Sequence, residues 1–283
     1  MPELPEVETV RRGLERFVVG RHVDAVEVGR ERAVRRTSRQ ALIDGLTGTT
    51  ITAANRHGKY LRLPLDSGDE VMIHLRMTGQ VLIAEPGAER PTHTHVVLHL
   101  GPYDGHPAHE LWFVDPRTFG EVVVFDPTNV AVELPELANL GVDPIAGELT
   151  LPLLRRMLRS RHRLLKPMLL DQHVIAGIGN IYADEILHEA RLRPDRMSDE
   201  LGTTSERRLH AAIHRVLAAA IAAGGSTLGD AQYVDLYGEW GSYQEAHKVY
   251  GRAGERCLTC GVGWIRRSVS AQRSTHFCPR CQR

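Results

Sequence analysis

The stretch Tyr60-Leu61-Arg62-Leu63-Pro64-Leu65-Asp66-Ser67-Gly68-Asp69-Glu70-Val71-Met72-Ile73-His74-Leu75 holds two short apolar runs, Tyr60–Leu65 and Val71–Leu75, around a cluster of turn residues. Runs of this length bounded by Asp, Ser and Gly read as β-strands. The same punctuation extends in both directions. Val23, Ala25 and Val28 roughly alternate with polar residues, and similar runs lie at Thr50–Ala54, Gln80–Ala84, His95–Leu100, Glu110–Val114 and Glu121–Phe125. So many short strands over residues 21–132 predict an antiparallel β-sandwich or barrel. Ahead of them, Val7, Val10, Leu14, Phe17 and Val18 recur at helical spacing. Pro5 suits the first turn of that helix, Glu6 and Glu8 its positive start, and Gly20 its stop.

Beyond residue 132 the pattern turns helical, at Leu151–Arg159, Leu164–Leu170, Tyr182–Ala190 and Glu206–Ala223. Thr203 and Glu206 read as a capping box opening the last helix, and Gly224-Gly225 as its end. Residues 226–247 are rich in Gly and Tyr without periodicity, which suits a functional or mobile loop. A chain of 283 residues favours two domains. The expected class is α+β multidomain: an N-terminal helix plus antiparallel β-sandwich over 1–132, a linker over 133–149, a helical domain over 150–244 and a distinct segment over 245–283. The longest uncharged apolar run, Val216–Gly225, is too short to span a bilayer, and Met1–Glu6 lacks the basic and apolar regions of a signal peptide. A cytoplasmic protein with no membrane partner is expected.

Thirty-five Lys and Arg face 35 Asp and Glu, so the formal net charge is zero. From Gln244 onward, however, eight basic residues (Lys248, Arg252, Arg256, Arg266, Arg267, Arg273, Arg280, Arg283) meet only Glu245 and Glu255. The tail carries +6 and the remainder −6. Arg155, Arg156, Arg159, Arg161, Arg163 and Lys166 form a second basic cluster, and Arg30, Arg32, Arg35, Arg36 and Arg39 a third. Three such clusters point to an anionic partner.

Cys257-x2-Cys260, seventeen residues, then Cys278-x2-Cys281 has the spacing of a four-cysteine zinc site. Four sulfurs fill the tetrahedron, so one structural Zn2+ is expected, and its binding supplies the folding energy of a segment too short for its own core. Met1-Pro2 is a start from which the initiator methionine is readily removed. The freed secondary amine would titrate near ~7.7–8, far below lysine, and could attack an aldehyde-like carbon. Glu3 beside it could act as general acid or base.

Pro2-Glu3-Leu4-Pro5-Glu6, the strand-rich first half, Gly177-Ile178-Gly179-Asn180-Ile181-Tyr182-Ala183-Asp184-Glu185 and the terminal cysteine pairs occur together in this order. The chain resembles the formamidopyrimidine-DNA glycosylase/endonuclease VIII family over essentially its whole length, and Leu4 resembles the formamidopyrimidine-DNA glycosylase branch. The resemblance implies a helix–two-turn–helix in the helical domain, a zinc-finger β-hairpin over 245–283 and a lesion-capping loop within 226–247. It implies a monomeric base-excision repair enzyme, a DNA glycosylase and AP lyase, acting on double-stranded DNA that contains oxidised purines or abasic sites. Pro2 is then the nucleophile toward C1′, Glu3 the acid at the sugar ring oxygen, Lys59 the lysine that assists base release and β-elimination, and Arg273 the zinc-finger arginine linked with δ-elimination. His93, Arg161, Lys166 and Asn180 match DNA contacts, and Met77, Arg117 and Phe119 match residues that fill the gap left by a flipped base.

Two positions depart from the family pattern: Arg76 stands where Gly is usual before Met77, and Thr118 where a second Arg is common. These leave substrate choice open. The rival readings are an endonuclease VIII-like enzyme for oxidised pyrimidines and a non-catalytic binder of damaged DNA.

Overall fold

The computed structural model describes residues 1–34, 36–229 and 233–283. Arg35, counted above in a basic cluster, lies outside the described residues. The chain divides into two compact units, residues 1–139 with 223–242 and residues 140–222 with 243–283.

The first unit opens with helix α1 (Leu4–Phe17), whose first turn is closed by a capping box of Glu3 and Glu6. Among the described residues eight strands follow: β1 (Val23–Val28), β2 (Asn55–His57), β3 (Tyr60–Pro64), β4 (Glu70–His74), β5 (Gln80–Ala84), β6 (Thr94–Leu100), β7 (His109–Val114) and β8 (Glu121–Phe125). They form two antiparallel sheets, β1-β6-β7-β5 and β2-β3-β4-β8. In the 60–75 stretch Tyr60 pairs with His74 and Leu63 with Val71. This register turns Leu61, Leu63, Val71 and Ile73 to one face. There they share a core with Val96, Leu98, Leu111 and Phe113 of the other sheet and with Val7, Val10 and Leu14 of α1. Alternation at period two across both sheets thus makes the sandwich.

Three differences from the sequence reading have local causes. Thr50–Ala54 is not a strand. Thr50 and Ile51 make single bridges to His22 and Leu65, and regular pairing starts only at Asn55. Helix α2 (Arg39–Leu46) was not anticipated; Ser38 caps it and only Leu42 and Leu46 are buried, so eight residues show barely one repeat. Helix α3 (Val130–Glu133) spans the end of the expected sandwich segment, and α4 (Pro135–Ala138) lies in the expected linker.

The second unit contains α5 (Leu151–Arg159), α6 (Leu165–Leu170), α7 (Asn180–Glu189) and α8 (Thr203–Ala222), then the hairpin β9 (Arg266–Ser270) and β10 (Arg273–Phe277). Glu206 does not cap α8. Its side chain is 1% exposed and accepts from Arg155 and Arg159 of α5 at 2.8 Å each, because burial reserves the carboxylate for guanidiniums. The hairpin turns through Ala271 and Gln272, both with positive φ (47° and 61°), the geometry of a two-residue primed turn.

Residues 223–242 follow α8 yet pack within the first unit. The Tyr233 hydroxyl donates to the Gly224 carbonyl at 3.0 Å, and Leu236 lies against Gly13 of α1. Residues 230–232 of the loop read at 226–247 lie outside the described residues. Among the described residues no helix is long and apolar enough to cross a membrane.

Candidate active site and nucleic-acid interface

In the first unit, Pro2 and Glu3 sit at the start of α1. Both are buried, while Met1 remains 41% exposed. The Glu3 amide donates to Glu6 Oε2 at 2.8 Å. The other Glu6 oxygen accepts from the Ser226 amide at 2.7 Å, so one carboxylate holds the first turn to a segment 220 residues away. Gly225, just before, has φ +81°, and a Cβ there would stand 2.7 Å from Glu6 Oε1. Only glycine fits both constraints.

Lys59 lies on the turn between β2 and β3, after Gly58 with φ +58°, and is nearly buried at 8% exposure. Glu8 ties this turn to α1. Its Oε2 accepts from Arg56 Nε at 3.0 Å, and Arg56 also donates to the Gly58 carbonyl at 2.9 Å. Burial opposes the charge on Glu8, but Arg11, Arg56 and Arg12 outweigh it and hold its pKa below the ordinary carboxylate value.

Met77 and Phe119 are each 37% exposed. The Arg117 guanidinium lies over the Phe119 ring at 4.8 Å. The residue that arranges them is Asp115, which the sequence reading passed over. It is fully buried and accepts from the Gly120 amide at 2.6 Å, the Arg117 amide at 3.2 Å and the Thr78 hydroxyl. An Asp at the head of Asp-Pro-x-x-x-Gly is the signal that could have found it. Arg76 and Thr118 both have φ of 53°. Arg76 compensates by pairing with Glu121 at 2.9 Å and by donating its amide to His74 Nδ1 at 2.9 Å. Burial keeps His74 well below the usual imidazole range, so Nδ1 stays an acceptor. His93 is exposed, also with positive φ (70°).

In the second unit, Asn180 opens α7 behind Gly179, and its Nδ2 donates to the Ser274 carbonyl at 3.0 Å. Arg273 starts β10 and is exposed, as is Arg161. The sequence reading places Lys166 at a DNA phosphate; here its side chain is 0% exposed. Nζ donates to the Ser274 carbonyl at 2.8 Å and the Thr275 hydroxyl at 3.0 Å, and it approaches Asp184 Oδ1, itself buried, at 2.6 Å. Asp184 Oδ2 accepts from the His276 amide at 2.8 Å. Lys166 and Asn180 therefore converge on the backbone beside Arg273. Glu185, likewise unremarked from sequence, accepts the amides of Lys248, Val249 and Tyr250, each at 2.8–2.9 Å.

Cys257, Cys260, Cys278 and Cys281 bring four sulfurs within 4.8 Å of one another, all as free thiols. Cys257 and Cys281 stand 3.7 Å apart and Cys260 and Cys278 3.8 Å. A tetrahedron with zinc–sulfur bonds of about 2.3 Å has edges of about 3.8 Å, so the cage fits one zinc ion. The Gly263 and Val262 amides lower the Cys260 thiol to about 6, while burial and the other three sulfurs push Cys281 up. Four thiolates so close need a cation. With no coordination position left, the ion organises the fold and does not enter the chemistry.

The sequence matches the family described as formamidopyrimidine-DNA glycosylase N-terminal domain over residues 1–122, and the formamidopyrimidine-DNA glycosylase H2TH domain over residues 140–232. It is 45% identical over 285 residues to the formamidopyrimidine-DNA glycosylase of Salinispora arenicola, covering 100% of this chain and 96% of the relative. That of Carboxydothermus hydrogenoformans is 40% identical with full coverage of both chains. Among solved structures, Lactococcus lactis Fpg in complex with abasic-site DNA superposes with a TM-score of 0.87 at 36% identity, covering 99% of each chain. The same enzyme with Fapy-dG DNA gives 0.86, also at 36% identity, covering 99% of this chain and 100% of that one. With identity this high along its whole length, the chain belongs to the formamidopyrimidine-DNA glycosylase family.

Proposed function

We propose that this protein is a bifunctional DNA glycosylase and AP lyase that removes 8-oxoguanine and formamidopyrimidines from double-stranded DNA. The observation that carries the reading is the first turn of α1, where Pro2 adjoins buried Glu3 in a backbone fixed by Glu6. Once Met1 is removed, the Pro2 amine attacks C1′ as the N-glycosyl bond breaks, and the base leaves with a proton. Glu3 protonates the ring oxygen, the sugar opens, and an iminium joins Pro2 to C1′. Loss of a C2′ proton then expels the 3′ phosphate, and a second elimination expels the 5′ phosphate. Lys59 assists base departure and the first elimination, and Arg273 holds phosphate during the second. Met77, Arg117 and Phe119 fill the vacated stack. His93, Arg161 and Asn180 hold the backbone, and Lys166 sets the position of the Arg273 hairpin.

In this reading residues 1–132 carry the chemistry, 150–244 contain the helix–two-turn–helix and the lesion-capping loop, and 245–283 form the zinc finger. The enzyme acts as a monomer in the cytoplasm. Borohydride reduction on duplexes with 8-oxoguanine opposite C tests the chemistry. The expected result is a covalent adduct whose DNA maps to the N-terminal peptide beginning at Pro2. No adduct, or an adduct on another peptide, overturns the mechanism. Faster cleavage of a thymine glycol duplex than of the 8-oxoguanine duplex overturns the purine assignment.

A further inference from the structure

A concavity of about 480 Å³ lies in the second unit, at the far end of α7 from Asn180. Arg191, Arg196, Arg208, Arg280 and Arg283 line it with Thr259, Cys260 and Cys281. Among its lining residues there is no acidic side chain, and none of the five guanidiniums pairs with a side-chain carboxylate among the described residues. Their neighbours behave differently: Arg193 pairs with Asp195, Arg215 with Glu189 and Arg252 with Glu255. Of the five around the concavity, Arg196 donates to the Arg283 main-chain oxygen at 3.4 Å and Arg208 to the Ser205 hydroxyl at 3.2 Å, and neither partner is a side-chain carboxylate.

The simplest alternative is that the arginines offset the cysteine cage. A zinc ion with four thiolates carries a net charge of −2, which two of five guanidiniums balance. A net positive charge remains over a hollow whose volume suits a small molecule. The walls are held in place. Gln282, buried, accepts from the Cys278 amide and donates to the Leu192 carbonyl, both at 2.8 Å, and the Arg283 amide donates to the Arg191 carbonyl at 3.2 Å. Arg191 itself holds a φ of +56°, a costly conformation for a side-chain-bearing residue. A second hollow of about 280 Å³ continues the first and shares Arg191, Arg208 and Thr259. His188 lines it, buried and with no partner for Nδ1, and so do Glu189 and Arg215, which pair with each other.

This region is separate from the DNA contacts proposed above. The ten residues of α7 place Asn180 about 15 Å away from the Arg191 end. Arg273 and Arg280 flank opposite ends of β10. We propose that this concavity is a second anion site, for a short oligophosphate chain such as the tail of a nucleoside triphosphate or inorganic polyphosphate. Planar guanidiniums grip phosphate through paired N–H donors, and several converging on one hollow select a chain of phosphates over a single one.

Titration calorimetry on the zinc-loaded full chain tests this, with inorganic tripolyphosphate as the probe and ATP in a parallel arm. One saturable equivalent is expected. In the double variant Arg191→Gln/Arg208→Gln, affinity should fall at least about tenfold, the loss of a charge-assisted hydrogen bond. Its zinc content, circular dichroism and lesion cleavage without tripolyphosphate should match wild type. Equal affinity for both probes assigns the site to the phosphate chain alone, and tighter ATP binding assigns it to a nucleotide. The proposal is overturned by absence of saturable uptake, by unchanged affinity in the double variant, or by undamaged duplex displacing tripolyphosphate through these same arginines.

Discussion

Replacing Lys166 by methionine keeps the apolar stem and removes an ammonium with no exposure to water. What remains is the Asp184 carboxylate, also buried, which loses the cation 2.6 Å away. Stranding a buried charge in this way costs about 3–5 kcal/mol. The Ser274 carbonyl and Thr275 hydroxyl lose a donor as well, so the β9–β10 hairpin shifts where it carries Arg273. Urea unfolding of the zinc-loaded protein should show that loss. The double variant Lys166→Met/Asp184→Asn should recover most of it, because asparagine is neutral and still accepts from the His276 amide. DNA affinity should fall, yet the slope of log K against log salt should stay at its wild-type value. A lysine touching phosphate would instead lower that slope by about one unit. A slope reduced by one with stability intact would refute the buried-pair reasoning and return Lys166 to the DNA surface.

Other perturbations probe different parts of the chain. Glu8→Gln should lower stability near neutral pH. The depressed pKa of Glu8 means its contribution is complete above the unfolded value of about 4.3 and fades as pH falls through the folded one. Urea midpoints for wild type and variant should therefore converge in acid; a constant gap at every pH would show that charge is not the cause. Gly225→Ala forces a side chain into positive φ against Glu6, costing about 1–3 kcal/mol, and should slow borohydride trapping. An unchanged melting temperature would contradict the close approach. Chelation should release one zinc per chain, unfold residues 245–283 and abolish duplex binding, since such a site contributes about 10–16 kcal/mol to folding. Full DNA affinity after zinc loss would mean that the cage does not hold Arg273 in place.

Elements with two or more repeats of their own period were legible in the sequence. The Tyr60–Leu75 strands pair as their alternation requires, and α5 has the bounds its apolar stripe gives. The cysteine spacing needed no tertiary information, because two tight Cys-x-x-Cys turns bring the sulfurs together. Helix α2 was too short to declare itself. Charged residues were harder to read. Glu206 looked like a cap, and the burial of Glu206 and Lys166 has no local signal: Glu206 meets Arg155, 51 residues away, and Lys166 the Ser274 carbonyl, 108 away. Nothing local distinguishes a lysine that meets phosphate from one that meets a buried aspartate. Asp115, Glu185 and the dual role of Glu6 were hidden for the same reason: their partners are backbone amides, which every residue but proline provides.

Glu6 also constrains when the first unit can close. Its carboxylate joins the amide of Glu3 to that of Ser226, and the first unit is closed by residues 223–242. A ribosome adding 5–20 residues per second needs roughly 11–44 s to travel from one end of that link to the other. Throughout that interval the Glu6 carboxylate has no Ser226 amide to accept from, so this link in the first unit forms only after residues 223–242 have been made.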